Sequence, residues 1–540
     1  MLDGLPIFVY KSTMSFVSWQ YALFLPLVFL IYWRLPWRGR ICLLVFASYF
    51  FYGFWDARFL ALLLTSTTID FYCGLAMSGS RTPLTKVILT ACLPVVWLGT
   101  YRLFSSNTVT VNNWIIAVAG SFPVFFSALY AVLWRLPEGR QRRAFLLLSV
   151  LTNLAVLGFF KYFNFFAASA AACINAMGGH ASWSFLNIIL PVGISFYTFQ
   201  SISYSVEVYK GTAQPARDLL LFAAYLSFFP QLVAGPIERP HDLLPQLAKP
   251  AQWDIANFHR GIALILVGLF KKVFVADNCA LLANYAFDPK VNLNAEWALL
   301  GALAFAAQIY GDFSGYTDIA RGSARLLGIH LNHNFHFPYF SRSPSEFWQR
   351  WHITLSKWFR DYVYIPLGGN RGGTWLTVRN LWITMLLAGL WHGASWTFVL
   401  WGAYFGALLM LYRVTPALKW LAEPETTSRA RIFGSRMVMF AFILIGWVIF
   451  RSRDMGQLSR WFEALGHWHT MGATRVVGPY FWLVFHAAPL LLLQAFTWKY
   501  RDEVELGRWA WPARGFAYSV LFLAVATSTV TDVEFIYFQF

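Results

Sequence analysis

Apolar runs long enough to cross a membrane recur from Phe16 to Phe540, and no other feature narrows the possible folds as much. A helix needs roughly 17 to 25 apolar residues to cross the hydrocarbon core, where backbone N–H and C=O groups must be satisfied inside the protein. The first runs are Phe16–Trp33, Ile41–Phe54, Phe59–Met77, Val87–Phe104, Trp114–Trp134 and Ala144–Met177. Others follow at Gly261–Val275, Trp297–Tyr310, Ile383–Leu411, Met437–Phe450, Tyr480–Phe496 and Phe516–Val530. They predict an all-α polytopic membrane protein with about ten or more spans, organised as one integral unit over residues 1–540. Composition agrees: 58% hydrophobic and 12% charged residues, with a mean hydropathy of +0.52, lie outside the range of soluble domains.

The net charge of +17 does not point to nucleic acid, because Lys and Arg sit in the connectors between apolar runs. There they act as topology signals and contacts for membrane lipids. RLPWRGR (Arg34–Arg40) and RLPEGRQRR (Arg135–Arg143) both read as cytoplasmic loops. Residues 1–13 read as an unstructured extension, with Met14 a plausible start, and the first span reads as retained rather than cleaved. The five cysteines stand singly and carry neither a disulfide framework nor a zinc site.

Three stretches depart from plain spanning helices. Leu190–Pro240 mixes Pro, Gly, Ser, Tyr and Gln into apolar text, which suits re-entrant or broken helices buried in protein, or a polar helix interface. QIYGDFSGYTDIARGSAR (Gln308–Arg325) carries Asp318 and Arg321 at i, i+3, a pairing distance on a helix, while Asp312 lacks such a neighbour and is the candidate for lining a polar cavity, with an interfacial position as the alternative. Leu331–Arg379 is basic and aromatic and reads as helices in or near the cytoplasmic interface. His330, His333 and His336 there have ligand-compatible spacing, but no carboxylate or cysteine shares their segment, so a metal site is not indicated.

One histidine interrupts the run WITMLLAGLWHGASWTFVLW (Trp382–Trp401). An ionisable group at such depth is costly, so His392 is a candidate functional residue, with a packed, hydrogen-bonded core histidine as the alternative. Gly389 and Gly393 flank Trp391-His392 and predict a helix break, with a second half-helix starting near Gly393, or close backbone packing. A second histidine, His352, lies in EFWQRWHITLSKWFRDYVYIPLGGNRGG, with Ser356 at i+4 and Arg360 and Asp361 beyond it. Lys161, inside FFKYFNFF, reads as a lysine snorkelling to the headgroups.

Several blocks in this order resemble the membrane-bound O-acyltransferase family, within it the bacterial alginate O-acetyltransferase membrane subunits and the teichoic acid D-alanine transferases. They are FFKYFNFF (Phe159–Phe166), LPVGISFYTFQSISYSVEVYKG (Leu190–Gly211), FFPQLVAGPIERP (Phe228–Pro240), GDFSGYTDIARG (Gly311–Gly322), FWQRWHITLSKWFRDYVYIPLGGNR (Phe347–Arg371), GLWHGASW (Gly389–Trp396) and FIYFQF (Phe535–Phe540). The resemblance implies a ring of spanning helices around re-entrant and interfacial helices, enclosing a tunnel. It implies that His392 is catalytic and His352 a second active-site residue, with the core of the site within residues 311–401.

Acyl transfer to a hydroxyl needs a general base, donors for the developing oxyanion and exclusion of water. His392 suits the first role, and Trp391, Trp396 and Trp401 could shape a dry pocket and donate from their indoles. Asp312, Ser356 and Arg360 are the remaining candidates for substrate contact. No GxSxG nucleophile elbow is present. The expected protein is an O-acetyltransferase of the bacterial inner membrane that binds no cofactor and takes its acyl group from acetyl-CoA. The expected acceptor side is a polysaccharide, alginate-type first and cellulose or peptidoglycan next, reached with a periplasmic or secreted SGNH-type partner. Transfer of D-alanine, and a transporter or flippase with broken helices, are the competing expectations.

Overall fold

The computed structural model describes residues 14–104, 113–186, 188–423, 425–466, 477–498, 509–530 and 535–536. The expected extension at 1–13 and the last four residues of the FIYFQF block lie outside them. Among the described residues every regular element is helical. Among the described residues six helical stretches are long and apolar enough to cross a membrane, including Trp37–Met77 and Glu138–Ala176, each longer than one crossing needs. Ala295–Leu326, also of spanning length, falls outside this set, and it carries Asp312, Asp318 and Arg321. Large apolar side chains such as Leu23, Leu27, Phe46 and Phe50 stand on the surface, as a lipid-facing exterior requires.

Contacts gather the chain into two compact units, one of Met1–Phe160, Asn187–Phe258 and Ser323–Leu331, the other of Lys161–Leu186, His259–Gly322 and Asn332–Phe540. In the first, helices Leu60–Met77, Glu138–Leu157 and Ile194–Lys210 pack around a buried carboxylate. Asp70 accepts from Ser149 Oγ at 2.6 Å and Asn153 Nδ2 at 2.9 Å, and Ser149 meets Ser205 at 2.6 Å. The broken-helix reading of Leu190–Pro240 holds for its second half. Residues 222–240 are buried throughout, although the helix there is interrupted after Ser227 and again after Leu232. Side chains supply the missing partners: Ser48 Oγ accepts from the Phe229 N–H at 3.0 Å, and Gln200 and Gln231 both donate to the Tyr225 carbonyl. Gly193 enters the Ile194–Lys210 helix at φ 73°, where a Cβ would overlap the Leu232 carbonyl oxygen.

The second unit is held at its centre by glycine contacts and buried ion pairs. Gly268 and Gly315 let two helices approach until a Cβ on either would sit 2.6 Å from the other's carbonyl oxygen, which gives the GDFSGYTDIARG block a packing role. A π-helical turn, Phe270–Ala276, aims Lys271 and Lys272 at this surface. Lys271 pairs with Asp318 at 2.8 Å, and the expected Asp318–Arg321 pair is present at 3.1 Å. Lys272 joins Asp277 at 2.7 Å and Asp312 at 2.9 Å. Charges buried this deeply offset their desolvation only through such pairing.

Candidate active site

The site lies within the second unit. The helix Thr374–His392 and the helix Trp396–Val414 form a hairpin, packed closely because Gly389 and Gly402 lack side chains. A Cβ at Gly389 would overlap the Phe398 carbonyl oxygen, and one at Gly402 that of Met385. The break expected beside His392 is present. His392 is the last residue of the first helix, Gly393 is extended (φ −167°, ψ 156°), and the second helix starts at Trp396 behind the N-cap Ser395. His392 therefore stands on the carbonyl end of one helix, not beside a helix start at Gly393.

His392 is 5% exposed and ringed by aromatic side chains: Trp391 at 5.0 Å, Trp401 at 4.9 Å and Phe450 at 5.2 Å between centroids, all edge-on. Trp401 is fully buried and its indole N–H finds no hydrogen-bond partner among the described residues, so a donor stands next to the imidazole.

His352 is fully buried at the joint between the short helices Pro344–Arg350 and Ile353–Phe359. Its backbone is left-handed, φ 41° and ψ 56°, a conformation that costs a side-chain-bearing residue roughly 1–3 kcal/mol. Asn334 clamps the joint. Its carbonyl accepts from the Ile353 N–H at 2.9 Å, and its Oδ1 accepts from Thr354 Oγ1 at 2.6 Å. The imidazole packs edge-on against Phe313 at 4.7 Å and Trp391 at 6.0 Å. One indole, Trp391, thus touches both histidines, which stand forty positions apart in the sequence.

The other sequence candidates are not drawn into this cluster. Trp396, expected to wall a dry pocket, is 58% exposed and lies against Phe165. Asp312, expected to line a polar cavity, is buried in the lysine network and accepts the backbone N–H of Ile536 at 2.7 Å, which ties the start of the FIYFQF block to the Ala295–Leu326 helix. Ser356 donates to the Trp351 carbonyl at 3.3 Å, and Arg360 is solvent-facing and pairs with Asp361 at 2.7 Å. His333, from the histidine-rich loop, meets Arg321 at 3.0 Å.

Sequence reasoning missed a contribution from the FFKYFNFF block. Lys161 does not reach outward: Nζ donates to the carbonyls of Trp391 at 2.6 Å and His392 at 3.1 Å. The neighbouring Tyr162 hydroxyl donates to the Leu390 carbonyl at 3.0 Å. Aromatic residues around a lone lysine look the same whether the ammonium snorkels or bonds a helix end, so the sequence carried no signal for this.

The model of the membrane-bound O-acyltransferase family matches residues 217–452, a stretch that includes both histidines. The chain is 38% identical over 450 residues to the probable alginate O-acetylase of Azotobacter vinelandii, covering 83% of this chain and 77% of that one. It is 33% identical over 414 residues to the peptidoglycan O-acetyltransferase of Helicobacter pylori, covering 69% and 77% respectively. A more distant likeness, 28% over 290 residues, covering 49% of this chain and 70% of the relative, is to the teichoic acid D-alanyltransferase of Bacillus subtilis. With identity at that level over most of both chains, and with two buried histidines gathered on one indole, this protein belongs to the membrane-bound O-acyltransferase family.

Proposed function

We propose that the protein is an O-acetyltransferase of the bacterial inner membrane, which takes acetyl from cytoplasmic acetyl-CoA for the O-acetylation of an exopolysaccharide, alginate-type first. The observation that carries the reading is the pair of buried histidines sharing Trp391. In this reaction His392 accepts the proton of the attacking hydroxyl as its oxygen bonds to the thioester carbonyl carbon. The Trp401 N–H donates to the oxygen on which charge develops; as the C–S bond breaks, the imidazolium passes its proton to the sulfur and CoA leaves as the thiol. The aromatic wall of Trp391, Trp401 and Phe450 keeps out the water that would hydrolyse the donor. His352, held in its strained joint, positions the donor.

Support for the acetyl group and for a polysaccharide acceptor comes from the alginate O-acetylase and peptidoglycan O-acetyltransferase relatives. The acceptor is reached from the far side of the membrane through a periplasmic SGNH-type partner, and the basic loops Arg34–Arg40 and Arg135–Arg143 face the cytoplasm. The test uses inverted membrane vesicles of the native host, formed in the presence of its periplasmic extract and polysaccharide so that both are enclosed, and supplied with acetyl-CoA labelled in the acetyl group. Release of free CoA together with label in polysaccharide is expected. Movement of a solute or lipid without CoA release would make the protein a transporter, and label entering only with a D-alanyl donor would make it a D-alanyltransferase.

A further inference from the structure

The helix that carries His392 ends without the usual closure. Its last carbonyls have no intrahelical partner, and Gly393 is extended rather than left-handed, so the backbone does not fold back to cap them. The caps come instead from a distant stretch of chain. Lys161 Nζ bonds the carbonyls of Trp391 and His392, and Tyr162 Oη bonds that of Leu390, so three consecutive carbonyls are taken by two consecutive side chains. Both donors stand in the π-helical turn Gly158–Tyr162, whose extra residue per turn alters the direction of adjacent side chains from that of a regular helix. The Lys161 ammonium also lies 5.7 Å from the centre of the Trp391 ring. A cation at a helix C-terminus is favourable in itself.

From this we infer that Lys161, assisted by Tyr162, is a positioning residue for the active site: it fixes the terminal turn whose side chains are Trp391 and His392. The inference rests on the reading of His392 as the base. It separates Lys161 from a general stabiliser, because the carbonyls it holds are those of the two residues that shape the site.

The test is donor-saturation kinetics in the inverted native-host vesicles, with acetyl-CoA varied and each rate referred to the amount of inserted protein. Lys161→Met keeps the aliphatic stem and removes the donor. Its kcat should fall about tenfold or more while the KM for acetyl-CoA changes less than about twofold, the pattern of a lost transition-state arrangement. Lys161→Arg, which can still donate to both carbonyls, should recover a large part of that rate. Tyr162→Phe, which keeps the ring and loses one bond, should lower kcat about two- to fivefold. Wild-type kcat in Lys161→Met, or equal losses in the Met and Arg variants, would overturn the inference. Should Lys161→Met fail to insert, Tyr162→Phe decides, and an unchanged kcat there overturns it. His392→Ala is run beside them: if it stays active the base assignment has failed, whereas an inactive His392→Ala with an active Lys161→Met refutes only the role of Lys161.

Discussion

His392 ends a regular helix and is held from outside, by side chains that bond the carbonyls of its last turn; His352 occupies a left-handed joint and is held from within, by the Asn334 clamp on the following backbone. Both rings are buried edge-on among aromatic residues, and both touch Trp391. The two supports have different chemical consequences. A helix end can be secured without strain, so the imidazole at His392 is held in a fixed place. A strained backbone persists only where its surroundings over-determine it, and Asn334 supplies that constraint next to His352. The same side chain is thus fixed in two ways, and the proposed function gives the two different tasks.

If that division is right, the variants should separate by kinetic parameter as well as by size. His392→Ala should lose about 10²- to 10⁴-fold in rate, the usual contribution of a general base, with insertion unchanged. His352→Asn retains a residue that tolerates the left-handed backbone; it should raise the KM for acetyl-CoA about tenfold, with much of the rate recovered at high donor. An equal, donor-independent loss in both variants would erase the distinction. Trp396→Ala should matter least. That side chain is exposed, and surface substitutions stay within about 0.5 kcal/mol, so rates should change by no more than about twofold. A large loss there would return Trp396 to the pocket.

The sequence made legible what depends on local spacing. Asp318 and Arg321 pair because they are one turn apart, and the break after His392 follows from glycines written beside it. What it hid was non-local or irregular. Asp312 has no partner within its own helix, yet Lys272 and the Ile536 N–H reach it from elsewhere in the chain. Asp70 escaped notice inside an apolar run because its partners, Ser149 and Asn153, come from another helix. Three π-helical turns, Gly158–Tyr162, Phe270–Ala276 and Arg360–Tyr364, carry Lys161, Lys271 with Lys272, and Arg360. An i→i+5 hydrogen bond leaves no periodic mark, so a reading on a 3.6-residue period aims those side chains wrongly. Trp396 shows the same limit: the chain bends at 394–395 between the two helices, and the side chain of Trp396 lies exposed against Phe165 rather than among the rings around His392.

The central claim is that acetyl transfer passes through His392. Its most direct test is the saturating rate of acetyl incorporation from labelled acetyl-CoA by His392→Ala in native-host vesicles, measured against protein confirmed as inserted. The account predicts a rate at least about a hundredfold below wild type that no concentration of acetyl-CoA restores. A wild-type saturating rate in that variant would contradict it.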